Sequence, residues 1–272
     1  MSTELIGREL DKFLSERSGT RYLSVLNNLR NIGSRRLAVT DMRGLSIGSD
    51  LAVVTTYNFG GCDLYLEVSD ADNLPEFHAA LIGTLRGAKE YMLSSDRREL
   101  FDDPGFVGLF GSHEVAEYEQ YGMLKPCKAI GCGHIRRLTV GDEELILAFA
   151  EPTAKYRMNL KRAYEIFIKP DNPLCAVYGY LGDGGISGYL IADSFDGGYW
   201  DIAYVYVSES ERGRGIATSL AAYYANDIAS AGGFASYGTP ENEMSKRAAI
   251  KAGFECFERR WCTSWIKNIE TT

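Results

Sequence analysis

Long apolar runs are missing from this sequence. None approaches the ~18 residues that cross a bilayer as a helix, and even residues 145–150 are soon followed by charges, so a membrane-crossing helix is excluded. Cysteine is sparse, with six in 272 residues. That is too few for the disulfide framework of a secreted scaffold, and the thiols read as mostly buried side chains in a reducing compartment. Positive charge is short as well: 29 Lys and Arg stand against 37 Asp and Glu, a net charge of −8 with neutral His. General affinity for nucleic acid rests on neutralising phosphates and is excluded on that ground, and a cationic partner fits better. The first nine residues lack the basic and apolar stretches of a secretion signal, so the expected location is the cytoplasm. No low-complexity segment and no repeat of 20 to 50 residues is visible.

What remains is an ordinary globular composition, 45% hydrophobic and 24% charged, long enough for two packed units. Residues 4–30 read as helix, from Leu5, Leu10, Phe13 and Leu14, then, past Ser18-Gly19, from Tyr22, Val25, Leu26 and Leu29. β-Branched and aromatic runs at 51–57 and 63–68 around Gly60-Gly61 predict a hairpin, followed by a helix over 74–86 and a strand over 90–93. The pattern breaks around 126–133. This places a boundary near residue 131, between an N-terminal α/β domain over 1–131 and a second domain over 132–272. The second reads as helices at 143–150 and 159–168, then strands at 175–180 and 186–193 joined by Gly182-Asp183-Gly184-Gly185. A buried strand at 200–207, a helix at 215–231, a strand at 234–237, a helix at 245–252 and a final strand after Phe254 complete it.

The segment from Asp201 to Thr218 carries the most chemical information, because a strand runs through Arg212-Gly213-Arg214-Gly215 into a helix. The first N–H groups of that helix have no internal partner. Together with the helix dipole they suit a pyrophosphate, and glycine lets phosphate oxygens approach the backbone. Arg212 and Arg214 would add charge-assisted contacts. The competing reading is a surface turn with solvated arginines. No Walker A loop occurs, and the Rossmann spacing fails for want of a third glycine at 218 or 219.

With these residues in view the C-terminal half resembles the GNAT superfamily of N-acetyltransferases over about residues 134–265. Three pieces match in order: Ile135-Arg136-x-Leu138-Thr139-x-x-Asp142, Arg212-x-x-Gly215-x-Ala217, and Asn242-x-x-Ser245 with Gly253-Phe254. The resemblance implies an α/β (α+β) fold of GNAT type, a mixed, mostly antiparallel sheet flanked by helices, preceded by the smaller α/β domain. It further implies acetyl-CoA as cofactor. Backbone groups of Val205, Tyr206 and Val207 would hold the pantetheine arm, and Arg212, Gly213, Arg214, Gly215, Ile216, Ala217 and Thr218 the pyrophosphate. Strands 200–207 and 234–237 would be splayed around it.

Amine acetylation calls for a neutral nucleophile, a polarised thioester and a proton for the leaving thiolate. The resemblance points to Asp201 as general base, directly or through water; the competing reading is a strand-initiating carboxylate paired to an arginine. The Val205 N–H would stabilise charge on the thioester oxygen. Ala249 stands where many members carry an acid Tyr, which leaves Tyr237 as a substitute acid, or a packed aromatic. Asn242 and Ser245 are candidates for cofactor binding and equally for a helix cap. Cys127-x4-Cys132-x-His134 is a metal-like fragment without a fourth ligand, and no metal site is assigned.

The N-terminal half repeats the order hairpin, helix, strand, but residues 69–75 hold two Asp and no Gly, so phosphate would be repelled. It reads as a degenerate GNAT-like lobe or an unrelated α/β cap. The expected activity is acetyl transfer to a primary amine of a small molecule or protein. The alternative is a non-catalytic CoA-binding or protein-interaction module. The sequence does not fix the oligomeric state.

Overall fold

A computed structural model describes residues 3–17, 22, 25–26, 29, 32, 39–125, 132–149, 159–194, 198–238, 240 and 242–267. In chain order these form β1 (Thr3–Ile6), α1 (Arg8–Arg17), β2 (Val39–Ile47), β3 (Asp50–Tyr57), β4 (Gly61–Glu67), α2 (Leu74–Gly87), β5 (Glu90–Ser95), α3 (Pro104–Phe110) and β6 (Val115–Gly122). Next come β7 (Ile135–Arg137), α4 (Glu143–Ala148), α5 (Leu160–Ala163), β8 (Cys175–Gly182), β9 (Gly185–Ser194), β10 (Tyr199–Val207), α6 (Ile216–Ser230), β11 (Phe234–Gly238), α7 (Glu243–Ala252), β12 (Glu255–Thr263) and β13 (Ile266–Lys267). No helix among the described residues is long and apolar enough to cross a membrane.

The chain divides into two compact units, residues 1–119 with 258–272, and residues 120–257. The division falls at residues 119/120, whereas residue 131, the expected boundary, lies outside the described residues; most of β12 and all of β13 belong to the first unit.

In the first unit the sheet order is β1-β2-β3-β4-β5-β12. Strands β4 and β5 run parallel, joined through α2, and β12 and β13 pair antiparallel to β5. Its faces bury Leu64, Leu66, Phe77, Leu93 and Phe106 on one side, and Leu10, Leu14, Met42, Leu51 and Val53 on the other. The N-terminal helix begins later than the apolar spacing predicts. Residues 3–6 pair with β2, and Gly7, at φ 54°, turns the chain before α1. Leu10 and Leu14, one turn apart, then bury one stripe of α1.

The second unit orders its strands β6-β11-β10-β9-β8-β7. One face packs against α6 and α7 through Tyr178, Leu190, Leu220, Tyr224 and Ala249, and the other buries Leu138, Ile146, Leu160, Tyr164, Tyr189 and Ile191. The helix expected over 159–168 is α5 followed by a π turn from Tyr164 to Ile168. The opening motif has a structural explanation. Thr139 and Asp142 form a capping box, and Arg136 grips the Asp142 carboxylate with both terminal nitrogens. That guanidinium, with the Thr139 hydrogen bonds, outweighs burial and holds the Asp142 carboxyl down at about 2.

Candidate active site

Strands β10 and β11 start as a parallel pair and then part. Registered pairs run Tyr199 with Phe234, Trp200 with Ala235 and Asp201 with Ser236, and there the pairing ends. Beyond that point β10 keeps its other neighbour, with Tyr204 to Val207 registered on Ile191 to Gly188 of β9. A bulge between Ile202 and Tyr204 marks the departure, and a bulge twists its strand and re-aims the residues after it. Past Asp201 no registered pair joins β10 to β11 among the described residues.

The loop after β10 makes a turn of 3-10 helix over Glu209–Glu211 and reaches α6 through Gly213 and Gly215, at φ 78° and 81°. Gly215 is the N-cap and supplies no side chain to the helix end; the first helical bond runs from the Ser219 N–H to the Gly215 carbonyl. This leaves the amides of Ile216, Ala217 and Thr218 as the orphan donors of the first turn. The space where a β-carbon would stand on Gly213 or Gly215 is open. The arginines are less committed to an anion than their sequence suggests. Arg212 donates from Nε to the Val207 carbonyl at 3.3 Å and lies 3.6 Å from Glu209, while Arg214 is paired to Glu211.

Asp201 occupies the vertex where the strands part. Trp200 and Ile202 face the core shared with α6 and α7, so alternation turns Asp201 to the opposite face. Its Oδ1 is shut off from solvent without a hydrogen-bond partner among the described residues. Burial pushes the carboxyl up to about 6, and the Asp193 charge adds to this, against smaller opposing effects of the Ser236 side chain and the Ile202 amide. Asp193 is the cross-strand partner of Asp201 on β9. Among the described residues no arginine is found with the groups that act on Asp201.

The remaining candidates fall elsewhere. Tyr237 is buried in the core with its ring 5.5 Å from Phe254, and burial raises its hydroxyl despite a hydrogen bond with the Ser245 side chain. Asn242 caps α7 by accepting from the Ser245 N–H at 2.9 Å. Ala249 is fully buried on α7. Cys127 and the side chain of Cys132 lie outside the described residues.

Two residues of this face escape sequence reasoning. Gly238 follows Tyr237 at φ 63°, and a β-carbon on it would stand 3.0 Å from Asp201 Oδ1. Gln120, on β6, also carries a buried oxygen without a partner among the described residues. Neither lies in a motif; only strand register reveals them.

The model of the Acetyltransferase (GNAT) family matches residues 130–254. Among solved structures the chain is similar to an acetyltransferase of the GNAT family from Colwellia psychrerythraea, at 18% identity and a TM-score of 0.51, covering 84% of this chain and 85% of that one. It is also similar to a GCN5-related N-acetyltransferase from Sphaerobacter thermophilus, at 14% identity and a TM-score of 0.52, covering 100% and 98%. A Drosophila protein aligns over 98% of both chains at 13% identity and a TM-score of 0.54. At these identities the likeness shows a shared fold. No curated protein matches the sequence.

Proposed function

From the premise that residues 130–254 form a domain of the GNAT acetyltransferase family, we propose that this protein transfers the acetyl group of acetyl-CoA to a primary amine of a small molecule or a protein. The observation that carries the reading is the parting of β10 from β11 at Asp201, directly before a loop with an uncapped helix end.

The residues fit the donor. Val205, Tyr206 and Val207, past the last registered pair between β10 and β11, would offer backbone groups to the amides of a pantetheine arm. The orphan amides of Ile216, Ala217 and Thr218 offer the positive end of α6 to a pyrophosphate. Acetyl-CoA supplies an acetyl group activated as a thioester. Asp201, ionised above pH ~6, takes one proton from the acceptor ammonium and passes it to solvent. With acetyl-CoA bound, the neutral nitrogen would take the acetyl group, the C–S bond breaking as the C–N bond forms and a second proton passing from nitrogen to the departing thiolate. The Val205 N–H donates to the carbonyl oxygen while negative charge develops there. No acid is assigned, because Ala249 presents a buried methyl and Tyr237 is packed in the core.

The buried Ala249 favours a second reading, a module that binds CoA without turnover. Release of free CoA thiol from acetyl-CoA across a library of amines separates the two. Turnover with any amine supports transfer, and CoA binding without thiol release supports the module.

A further inference from the structure

Where two strands part, their backbone groups lose the rungs that would have satisfied them, and side chains or water take their place. In the β10–β11 pair the Phe234 N–H donates to the Gly198 carbonyl at 2.7 Å. Alternate residues of a parallel ladder repeat that bond, so the last registered pair, Asp201 with Ser236, directs the Ser236 N–H to the Trp200 carbonyl. Two side chains close the ladder there, one on each face of the sheet. From α6, on the core face, the Tyr224 hydroxyl meets the Trp200 carbonyl at 2.9 Å and the Ser236 carbonyl at 3.2 Å, so it touches both strands at the final rung. Ala235 and Tyr237 lie in that core, and alternation turns Ser236 to the face of Asp201. There the Ser236 Oγ accepts from the Gly238 N–H at 2.9 Å, the next donor in the series, and donates to the Tyr121 carbonyl of β6 at 3.3 Å. Both residues are fully buried. Packing does not require the tyrosine hydroxyl. Leu220, Ala221, Ala225 and Ile228 build the same buried face of α6 from apolar side chains, and a phenylalanine ring would bring no polar group to satisfy. Burial, with the Asp201 charge added, keeps the Tyr224 hydroxyl protonated and therefore a donor. A carbonyl oxygen has two lone pairs, so this bond adds to the rung on Trp200 and does not displace it.

We propose that Tyr224 and Ser236 are positioning residues, which end the β10–β11 ladder at Asp201 and thereby fix its carboxylate at the point where the strands part. The inference rests on the acetyl-transfer reading and deepens it. Tyr224 holds the peptide immediately before Asp201 and ties it to α6, the helix whose first turn would meet the pyrophosphate. Ser236 stands beside Asp201 as its registered partner. The groups that act on the Asp201 carboxyl are Asp193 from β9, the Ser236 side chain from β11 and the Ile202 amide of its own strand, and Tyr224 from α6 is acted on by its charge. Within this set the two residues work in opposite senses. Burial is the main cause that raises the Asp201 carboxyl, and the Ser236 side chain opposes it. Loss of the Tyr224 hydroxyl loosens the final rung and admits water to the carboxylate, whereas loss of the Ser236 Oγ removes a group that favours the charged form.

The test is a carboxyl-carbon NMR titration of the full chain, with the Asp201 signal identified by its absence from Asp201→Asn, and it needs no turnover. Tyr224→Phe keeps the ring and should lower the Asp201 midpoint from about 6 by roughly half a pH unit, about a threefold effect. Ser236→Ala should raise it by a similar amount, and Ser236→Thr, which keeps the hydroxyl, should restore it. With any amine that releases CoA thiol, kcat of Tyr224→Phe should fall about tenfold while the KM for acetyl-CoA stays within about twofold. A hydroxyl that is only structural lowers the melting temperature and leaves the Asp201 midpoint and kcat unmoved. A midpoint that stays in place in a folded Tyr224→Phe or Ser236→Ala protein therefore overturns the role of that residue. Thiol release is measured separately: its absence from the wild-type protein overturns the acetyl-transfer reading, while the two opposed shifts stand or fall without it.

Discussion

The two units build the same strand–loop–helix–strand module and finish it in opposite ways. In the first, β4 and β5 stay paired through six registered positions, from Gly61 with Glu90 to Leu66 with Ser95. In the second, β10 and β11 part after three. The loops differ in the same sense. After β4 the amides of Ser69 and Asp70 and the side chain of Asn73 donate to the carboxylate of Asp50, at 2.9, 3.2 and 3.0 Å. Burial raises the Asp50 carboxyl, but these hydrogen bonds outweigh it and hold it below its ordinary range. The first unit thus fills its own anion position with a side chain. After β10 the corresponding turn has glycines, open space and no side-chain cap. The third residue of each leading strand is an aspartate, with a different fate. Asp63 accepts from Ser94 at 3.1 Å and has the buried Arg260 beside it, while Asp201 keeps an unpartnered oxygen among the described residues. A module becomes a candidate site where its polar groups are left incomplete.

Breaking the aspartate comparison gives the largest effect. Asp201→Asn is expected to lower turnover by about 10²- to 10⁴-fold while CoA affinity holds, the range for a lost general base. Asp63→Asn should leave turnover of the folded protein unchanged. Wild-type activity should rise as pH passes about 6, where Asp201 ionises. The stability sign is opposite. A folded pKa raised from 3.8 to about 6 means the native state holds the extra proton between those values, so stability falls across that window. Asp201→Asn should therefore melt higher than wild type at pH 8, and the advantage should vanish by pH 4. A mutant that matches wild-type turnover assigns proton removal to solvent, and one that melts lower at pH 8 shows that burial does not govern the Asp201 carboxyl.

The glycine loop comes next. Gly215→Val should weaken CoA binding by at least about tenfold, or ~1.4 kcal/mol, in calorimetric titration. Valine is strained at φ 81°, so Gly215→Asn, which tolerates this conformation, shows how much of the loss is strain. Dephospho-CoA should bind the wild-type loop and lose the same factor in Gly215→Val. Unchanged CoA affinity in the folded Val protein removes the pyrophosphate from this loop.

Much of this division is legible in the sequence. β-Branched runs around Gly60-Gly61, the hairpin at Gly182–Gly185 and the strand–glycine–helix passage at 201–218 give local signals, and each became the element expected. The absence of glycine in 69–75 correctly marks that loop as different, yet its cause is Asp50, about twenty residues upstream and visible only through strand register. The strands at 39–47 and 115–122 carry charged and glycine residues that hide their periodicity. The orphaned oxygen of Gln120 depends on the order of strands in the sheet, which no window of sequence contains.

Removing the internal carboxylate tests the closed loop. Asp50→Ala leaves the Ser69 and Asp70 amides without their acceptor and should cost roughly 1–3 kcal/mol of stability. Because its folded pKa is depressed, this contribution is present above the unfolded value of 3.8 and is lost as pH falls through the folded one. Titration should give one CoA per chain in wild type and mutant alike. A second equivalent in either protein would erase the distinction between the loops.

The smallest effect sits in the charges of the second loop. Glu209 and Glu211 balance Arg212 and Arg214, so those four side chains sum to zero, and the arginines must leave their carboxylates to meet a phosphate. The arginines and Glu209 are exposed, and exposed pairs contribute about 0–1 kcal/mol. The helix end, not the guanidinium groups, should therefore dominate. Arg212→Ala with Arg214→Ala is expected to weaken CoA by less than about fivefold at physiological salt, less than Gly215→Val does. Glu209→Gln with Glu211→Gln frees both guanidiniums and should tighten CoA by a similar small factor, with a steeper loss of affinity as salt is raised. If the arginine pair costs more than Gly215→Val, the anion is held by side chains, and the contrast between the two loops is one of charge rather than of backbone geometry.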